Sequence, residues 1–142
     1  MSTEQYKAAA RRFIDQGLNQ KNMDEFDLYF SPDVINHSIP PDLPPGIEGR
    51  KLFMSTFLNA FPDLHFTIDD LVAEGDKLVT RWTSTGTHLN DLMGIPPTGK
   101  SATVTGIAID RFENGRSVEN WGVFDQMGLM QQLGVIPEPG QG

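Results

Sequence analysis

The chain has 142 residues, 38% hydrophobic and 21% charged, with a formal net charge of −8. That size and composition fit one soluble domain with a real core, and the acidity argues against a nucleic-acid backbone as partner. There are no cysteines, so disulfides and thiolate metal sites are excluded. No apolar run reaches the ~20 residues that span a bilayer, and the N-terminus MSTEQYKAAARRF lacks the apolar stretch of a secretory signal. A cytoplasmic protein with no membrane partner is expected.

Ser2 and Gln5 form a capping box by spacing. Behind them Tyr6, Ala9, Ala10, Phe13, Ile14 and Leu18 recur at helical spacing and predict an amphipathic helix ending near Gly17. A short second helix follows from about Asn22, with Phe26, Tyr29 and Phe30 on one side and Ser31-Pro32-Asp33 as its stop. Val34 to Ile39 reads as a short strand, and IPPDLPPG (39–46) as a stiff loop. Glu48 to Phe61 is a third helix whose buried stripe is Leu52, Phe53, Thr56, Phe57, Ala60 and Phe61, ended by Pro62.

From Leu64 the hydrophobic period changes to two. Strands are predicted over Leu64–Ala73, Lys77–His88, Lys100–Phe112 and Arg116–Phe124, with a loop over 90–99 and a hairpin at Glu113-Asn114-Gly115. Gln126–Leu133 is a closing helix, and the Pro/Gly tail after about residue 135 is expected to be loose. Helices ahead of an antiparallel meander define a single α+β domain over 1–142. A curved antiparallel sheet with N-terminal helices packed on one face would form a cone-shaped α+β barrel around a cavity.

One residue stands out. Trp121, Val123 and Asp125 alternate and share a strand face. If that face looks inward, Asp125 is a carboxylate aimed at an apolar interior, with the raised pKa a general base needs near neutral pH. Asp125 also sits just before the closing helix, where Asp is a favoured N-cap. The two roles can coexist.

His88 shares a face with Trp82, Ser84 and Gly86, either at the cavity rim as a polarising group or as a loop anchor bonded to backbone. His37 and Asn36 lie in the strand before the Pro-rich loop and point opposite ways, so at most one of them faces in. Trp82 and Trp121 offer flat walls for an aromatic ligand or simply fill the core. Arg81 falls opposite Trp82, as a surface or dimer-interface partner for an acid, and Asp110 and Arg111 are ambiguous in the same way. His65 is expected to be exposed at a strand start. His37, His65 and His88 have no close-spaced acid, so no metal site is expected. The strand Lys100–Phe112 carries Gly106 and Ala108 on one face and no mid-strand His, Gln or Tyr on either.

The stretch Ala60–Gly134 resembles the SnoaL-like polyketide cyclases of the nuclear-transport-factor-like superfamily of α+β cones. RWTSTGTH (81–88), GIPPTGK (94–100) and W-x-x-x-D-x-x-G-L-x-x-Q-L-G (121–134) carry the resemblance most specifically. It implies a cofactor-independent enzyme that removes a proton next to a carbonyl and closes a ring by intramolecular aldol condensation. It places Asp125 at the position of the base; read together with the residues above, His88 and His37 are the candidate polarising groups, and Trp82, Trp121, Asn36 and Phe57 are expected around an apolar, polyketide-like substrate. Isomerisation shares the same first step.

Two other readings stand beside it. One is an epoxide-hydrolase-like enzyme, which would want a second acid near the first. The other is a non-catalytic binding protein in which Asp125 only caps a helix. A homodimer through the sheet is expected from the family and from the Thr-rich outer face taken to include Leu78 and Thr80.

Overall fold

The computed structural model describes residues 2–137. Its elements run α1 (Thr3–Arg12), a π-helical continuation (Phe13–Asn19), α2 (Asp24–Tyr29), β1 (Phe30–Asn36), α3 (Gly46–Ala60), β2 (His65–Glu74), β3 (Lys77–Thr87), β4 (Ser101–Glu113), β5 (Arg116–Phe124) and α4 (Gln126–Leu133). The five strands form one sheet in the order β1-β5-β4-β3-β2. The four-strand meander is antiparallel, and β1 adds to it in parallel beside β5. The sheet is curved but not closed, so the architecture is an open α+β cone with β1 and β2 at its edges.

The local signals act as expected at both ends of the chain. Ser2 accepts from the Gln5 amide while Gln5 reaches back to Ser2, which completes the capping box. Asn114 and Gly115 both take positive φ (51° and 82°), as a tight hairpin turn requires. The first helix runs past Gly17 by widening into π turns, which carry Phe13, Ile14 and Leu18 into the interior.

Two boundaries differ from expectation. β1 starts at Phe30, and Ser31-Pro32-Asp33 lies inside it, not before it. The strand is an edge whose register with β5 is irregular between Phe30 and Ile35, so the missing Pro32 N–H breaks no required bond. The third helix starts at Gly46 and leaves Leu52 48% exposed, outside the buried stripe. The loose tail after 135 falls largely on residues 138–142, outside the described residues.

The core lies between the helices and the concave face of the sheet. Phe13 stacks on Tyr29 at 4.6 Å and meets Phe26 edge-on at 4.9 Å, while Tyr6 stacks on Phe112 at 4.5 Å. Leu78 and Thr80 are buried on this inner face, which corrects their assignment to the outside. Trp82, Ser84 and Gly86 follow them inward, so Val79, Arg81, Thr83 and Thr85 form the outer row of β3. Arg81 pairs there with Asp70 at 2.5 Å, and His65 is exposed at the start of β2. Among the described residues no helix is long and apolar enough to cross a membrane.

Candidate active site

The concave face encloses a chamber of about 170 Å³. Its floor is the inner face of β3, β4 and β5, and its walls come from the π segment, α3 and α4. The cross-strand register lays the floor out in rows. Leu78, Asp110 and Asn120 form one row, Thr80, Ala108 and Gly122 the next, and Trp82, Gly106 and Phe124 the third. Phe53, Met54 and Phe57 from α3 and Leu129 from α4 close the apolar side. Phe57 meets Phe124 edge-on at 5.8 Å, and Phe66 supports the Trp82 ring at 5.2 Å.

The polar end is built around Asp110, which is only 3% exposed. Ser117 Oγ and Asn120 Nδ2 each donate to its Oδ1 at 2.7 Å, and the Tyr29 hydroxyl donates to its Oδ2 at 2.9 Å. Arg50 on α3 donates to the side-chain Oδ1 of Asn120 and, through Nε, to Asn36 Oδ1 at 3.2 Å. Asn36 is in turn fixed by donating to the Gly46 carbonyl at 2.9 Å. The guanidinium lies 5.6 Å from the Phe30 ring centroid.

Opposing forces set the charges here. Burial pushes the Asp110 carboxyl above its ordinary range, against the donors Asn120, Ser117 and Tyr29 and the nearby Arg50, which all favour the anion. Burial, then the Asp110 charge, pushes Tyr29 well up, so the phenol stays protonated. Burial lowers Arg50, opposed by Asp110 and Tyr29, and the guanidinium stays charged near neutrality. The result is a held carboxylate, a fixed cation and a phenol donor facing an apolar volume.

The residues singled out in the sequence are divided by the fold. Trp82 and Phe57 line the chamber as expected, and Asn36 holds Arg50 at its edge. Asp125 is exposed and does not line it. Its carboxylate caps α4 by accepting the Gly128 amide at 2.9 Å, so the apolar surroundings expected for it are absent. Trp121 is also on the outer face, where it stacks on His37 at 4.9 Å, and Val123 beside it is 71% exposed. His37 Nε2 meets Glu119 at 2.7 Å, and Glu119 accepts from Arg111 at 2.9 Å. That pair of contacts, His37 first, holds the Glu119 carboxyl below its usual range. His37 is therefore part of an outer-face chain of charges, away from the chamber.

His88 is completely buried but does not line the chamber. It packs on Phe61 at 5.4 Å, and its Nδ1 accepts the Thr98 amide at 3.2 Å. Its backbone also binds Lys100 and Gly99, so it ties the 88–99 loop to β4. Accepting at Nδ1 assigns the ring proton to Nε2. This is the loop anchor of the two roles open to it. Among the described residues no group of three or more His, Asp or Glu is gathered as for a metal ion.

Tyr29, Arg50 and Asn120 were not named as site residues, and Asp110, left ambiguous in the sequence, is buried on the inner face. A signal for Asp110 was present, because it continues the Gly106–Ala108 face by two residues. Asn120 gave none, since its inward direction depends on a bulge. The antiparallel register pairs Arg111 with Glu119 and Phe112 with Ser117, which leaves Val118 as an extra residue in β5. Ser117 and Asn120 both face in across that odd spacing, so the phase of the strand flips. The same flip turns Trp121, Val123 and Asp125 outward.

Fold and site together define an α+β cone enclosing a small apolar chamber with one acid and one cation at its end. The SnoaL-like polyketide cyclase family matches residues 8–133, and the chain belongs to that family. TsrD from Streptomyces laurentii is 29% identical, with a TM-score of 0.88 over 96% of this chain and 99% of that one. AclR from Streptomyces galilaeus, a proposed hydroxylase, is 29% identical with a TM-score of 0.85, over 96% of this chain and 85% of its own. IdmH from Streptomyces antibioticus, a proposed polyketide cyclase, is 29% identical with a TM-score of 0.79, over 92% of this chain and 99% of its own. Comparison with curated proteins finds no match.

Proposed function

We propose that this chain is a cofactor-independent enzyme that abstracts a proton next to a carbonyl of an apolar small molecule, as the first step of an intramolecular aldol cyclisation or an isomerisation. The observation that carries this reading is Asp110, a carboxyl buried at the end of an apolar chamber and held by three donors. Its Oδ1 accepts two hydrogen bonds and its Oδ2 accepts one, which leaves a lone pair on Oδ2 for a substrate proton. Burial raises its basicity toward the working range of a general base.

The C–H proton passes to Asp110, and the electron pair of that bond becomes the enolate. Arg50 would stabilise charge on the enolate oxygen, while the Tyr29 hydroxyl, which donates to Asp110 Oδ2, holds the base in position. Return of the proton to a different carbon completes an isomerisation. Attack of the enolate carbon on a second carbonyl forms the ring bond of a cyclisation, and the new alkoxide then takes the proton.

Hydrolysis with two carboxylates is less well supported. Asp110 is the one acid among the described residues lining the chamber. The similar structures include a proposed hydroxylase as well as a proposed cyclase, so the shared fold alone does not choose the reaction.

The test is deuterium exchange at the carbon next to the carbonyl of a simple cyclic ketone in D₂O, followed by NMR. Wild type should catalyse exchange and Asp110→Asn should lose it. Binding without exchange in wild type would leave a non-catalytic binding protein.

We also propose a homodimer through the outer sheet face. Ile35, Ile107 and Val123 are exposed there around Trp121. Sedimentation of Val123→Asp at micromolar concentration tests this. A dimeric wild type that becomes monomeric supports the outer face, and a monomeric wild type removes the proposal.

A further inference from the structure

We infer that the chamber accepts an uncharged, flat carbonyl compound of one or two fused rings, with Gly122 as the residue that makes room for it. The inference rests on the chamber being the reaction site.

Capacity gives the first limit. A volume of about 170 Å³ lies just above the roughly 150 Å³ known to admit a benzene ring. It is well below the ~300–1,000 Å³ of pockets for larger ligands. One ring or a compact bicycle fits within it, and a four-ring framework would have to protrude through its open side.

The floor gives the second limit. Of the two inner-face glycines on β4 and β5, one is filled by the protein itself. A Cβ on Gly106 would lie 2.2 Å from the Trp82 ring, so the indole occupies that space. A Cβ on Gly122 would meet only the Ile107 carbonyl oxygen, 3.8 Å away. Gly122 therefore leaves an open notch in the row it shares with Ala108 and Thr80. That row lies between the Trp82–Phe124 row and the Asp110–Asn120 row. Residues two apart along a strand are separated by roughly 7 Å, about the span of a substituted six-membered ring. A flat ring resting on Gly122 and Ala108 would meet the edge of Trp82 on one side. On the other its carbonyl would reach toward Arg50 and the adjacent carbon toward Asp110.

Charge gives the third limit. The chamber already holds one cation and one acid, and Arg50 is engaged by Asn36 and Asn120. A ligand carboxylate would have to share the Arg50 charge with Asp110 inside an apolar volume.

The test uses Trp121→Phe protein, so that fluorescence reports Trp82 alone. 1-Tetralone should quench saturably, and Gly122→Leu should weaken its binding at least tenfold. 2-Naphthoate, of similar size but charged, and a four-ring quinone should each bind at least tenfold more weakly than 1-tetralone. Equal or tighter binding of either, or no effect of Gly122→Leu, overturns the inference. Deuterium exchange of 1-tetralone read in parallel keeps the two ideas apart. Size-selective binding without exchange sinks the catalytic reading and leaves the ligand class standing. Exchange in a four-ring ketone but not in 1-tetralone does the reverse.

Discussion

The two faces of the sheet carry similar residues in opposite circumstances. Each has a tryptophan within β3 or β5 and a carboxylate in β4 or just after β5. On the inner face Trp82 fills the space left by Gly106, and Asp110 is buried under three donors. On the outer face Trp121 stacks on His37, and Asp125 sits in water as a helix cap. Residue type does not separate these pairs. The side of the sheet they face does: it buries Asp110 and leaves Asp125 exposed, and it follows from strand phase. A carboxylate becomes a candidate base where desolvation competes with held donors, and a cap where solvent screens it.

The largest expected effect breaks that contrast directly. Asp110→Asn should lower turnover by about 10²–10⁴-fold, the usual worth of a general base, while Asp125→Asn should change it less than about twofold. Steady-state rates on any accepted ketone measure both. Equal losses would erase the distinction between the faces.

Packing gives the next contrast. Leu78→Ala on the enclosed inner row should cost about 2–5 kcal/mol in denaturant unfolding, against about 1 kcal/mol or less for the half-buried Val79→Ala on the outer row. Within the inner face, Gly106→Ala should cost about 1–3 kcal/mol by forcing Trp82 aside, whereas Gly122→Ala should change stability by no more than about 0.5 kcal/mol. Asp125→Ala should cost about 1 kcal/mol through the lost cap, read as a lower Tm with the chamber unaffected.

The smallest effect is in pH. Burial raises Asp110, so the folded chain keeps this proton to higher pH than the unfolded chain, whose value is near 3.8. Its contribution to stability therefore falls as pH rises through the interval between those two values. Activity that needs the carboxylate rises over the same interval. Glu119 behaves in the opposite way. His37 and Arg111 depress it, so its contribution is present above the unfolded value near 4.5 and is lost as pH falls through the folded one. Asp110→Asn should remove the first trend and leave the second, as Tm against pH would show. An unchanged profile would mean that Asp110 has the same proton affinity in the folded and unfolded chain.

Much of the fold was legible in the letters. The Ser2–Gln5 box, the Asn114-Gly115 hairpin, β5 and α4 act through neighbours a few residues apart, and all four form where expected. The site was only half legible. Trp82 and Phe57 follow unbroken periodicities and face the chamber. Asn120, Trp121 and Asp125 lie beyond a one-residue bulge at Val118, which no local pattern announces, and so the face was right while its direction was reversed. Arg50 joins them from α3, 70 residues before Asn120 in the chain.

The sequence by itself determined the class, the order of elements and the family, because capping, turn chemistry and hydrophobic period are short-range properties of the chain. Tertiary structure alone decided which carboxylate is buried, which tryptophan is a wall and which glycine is left open. Those outcomes depend on register between strands and on desolvation by residues distant in sequence, and both exist only once the sheet has closed over its helices.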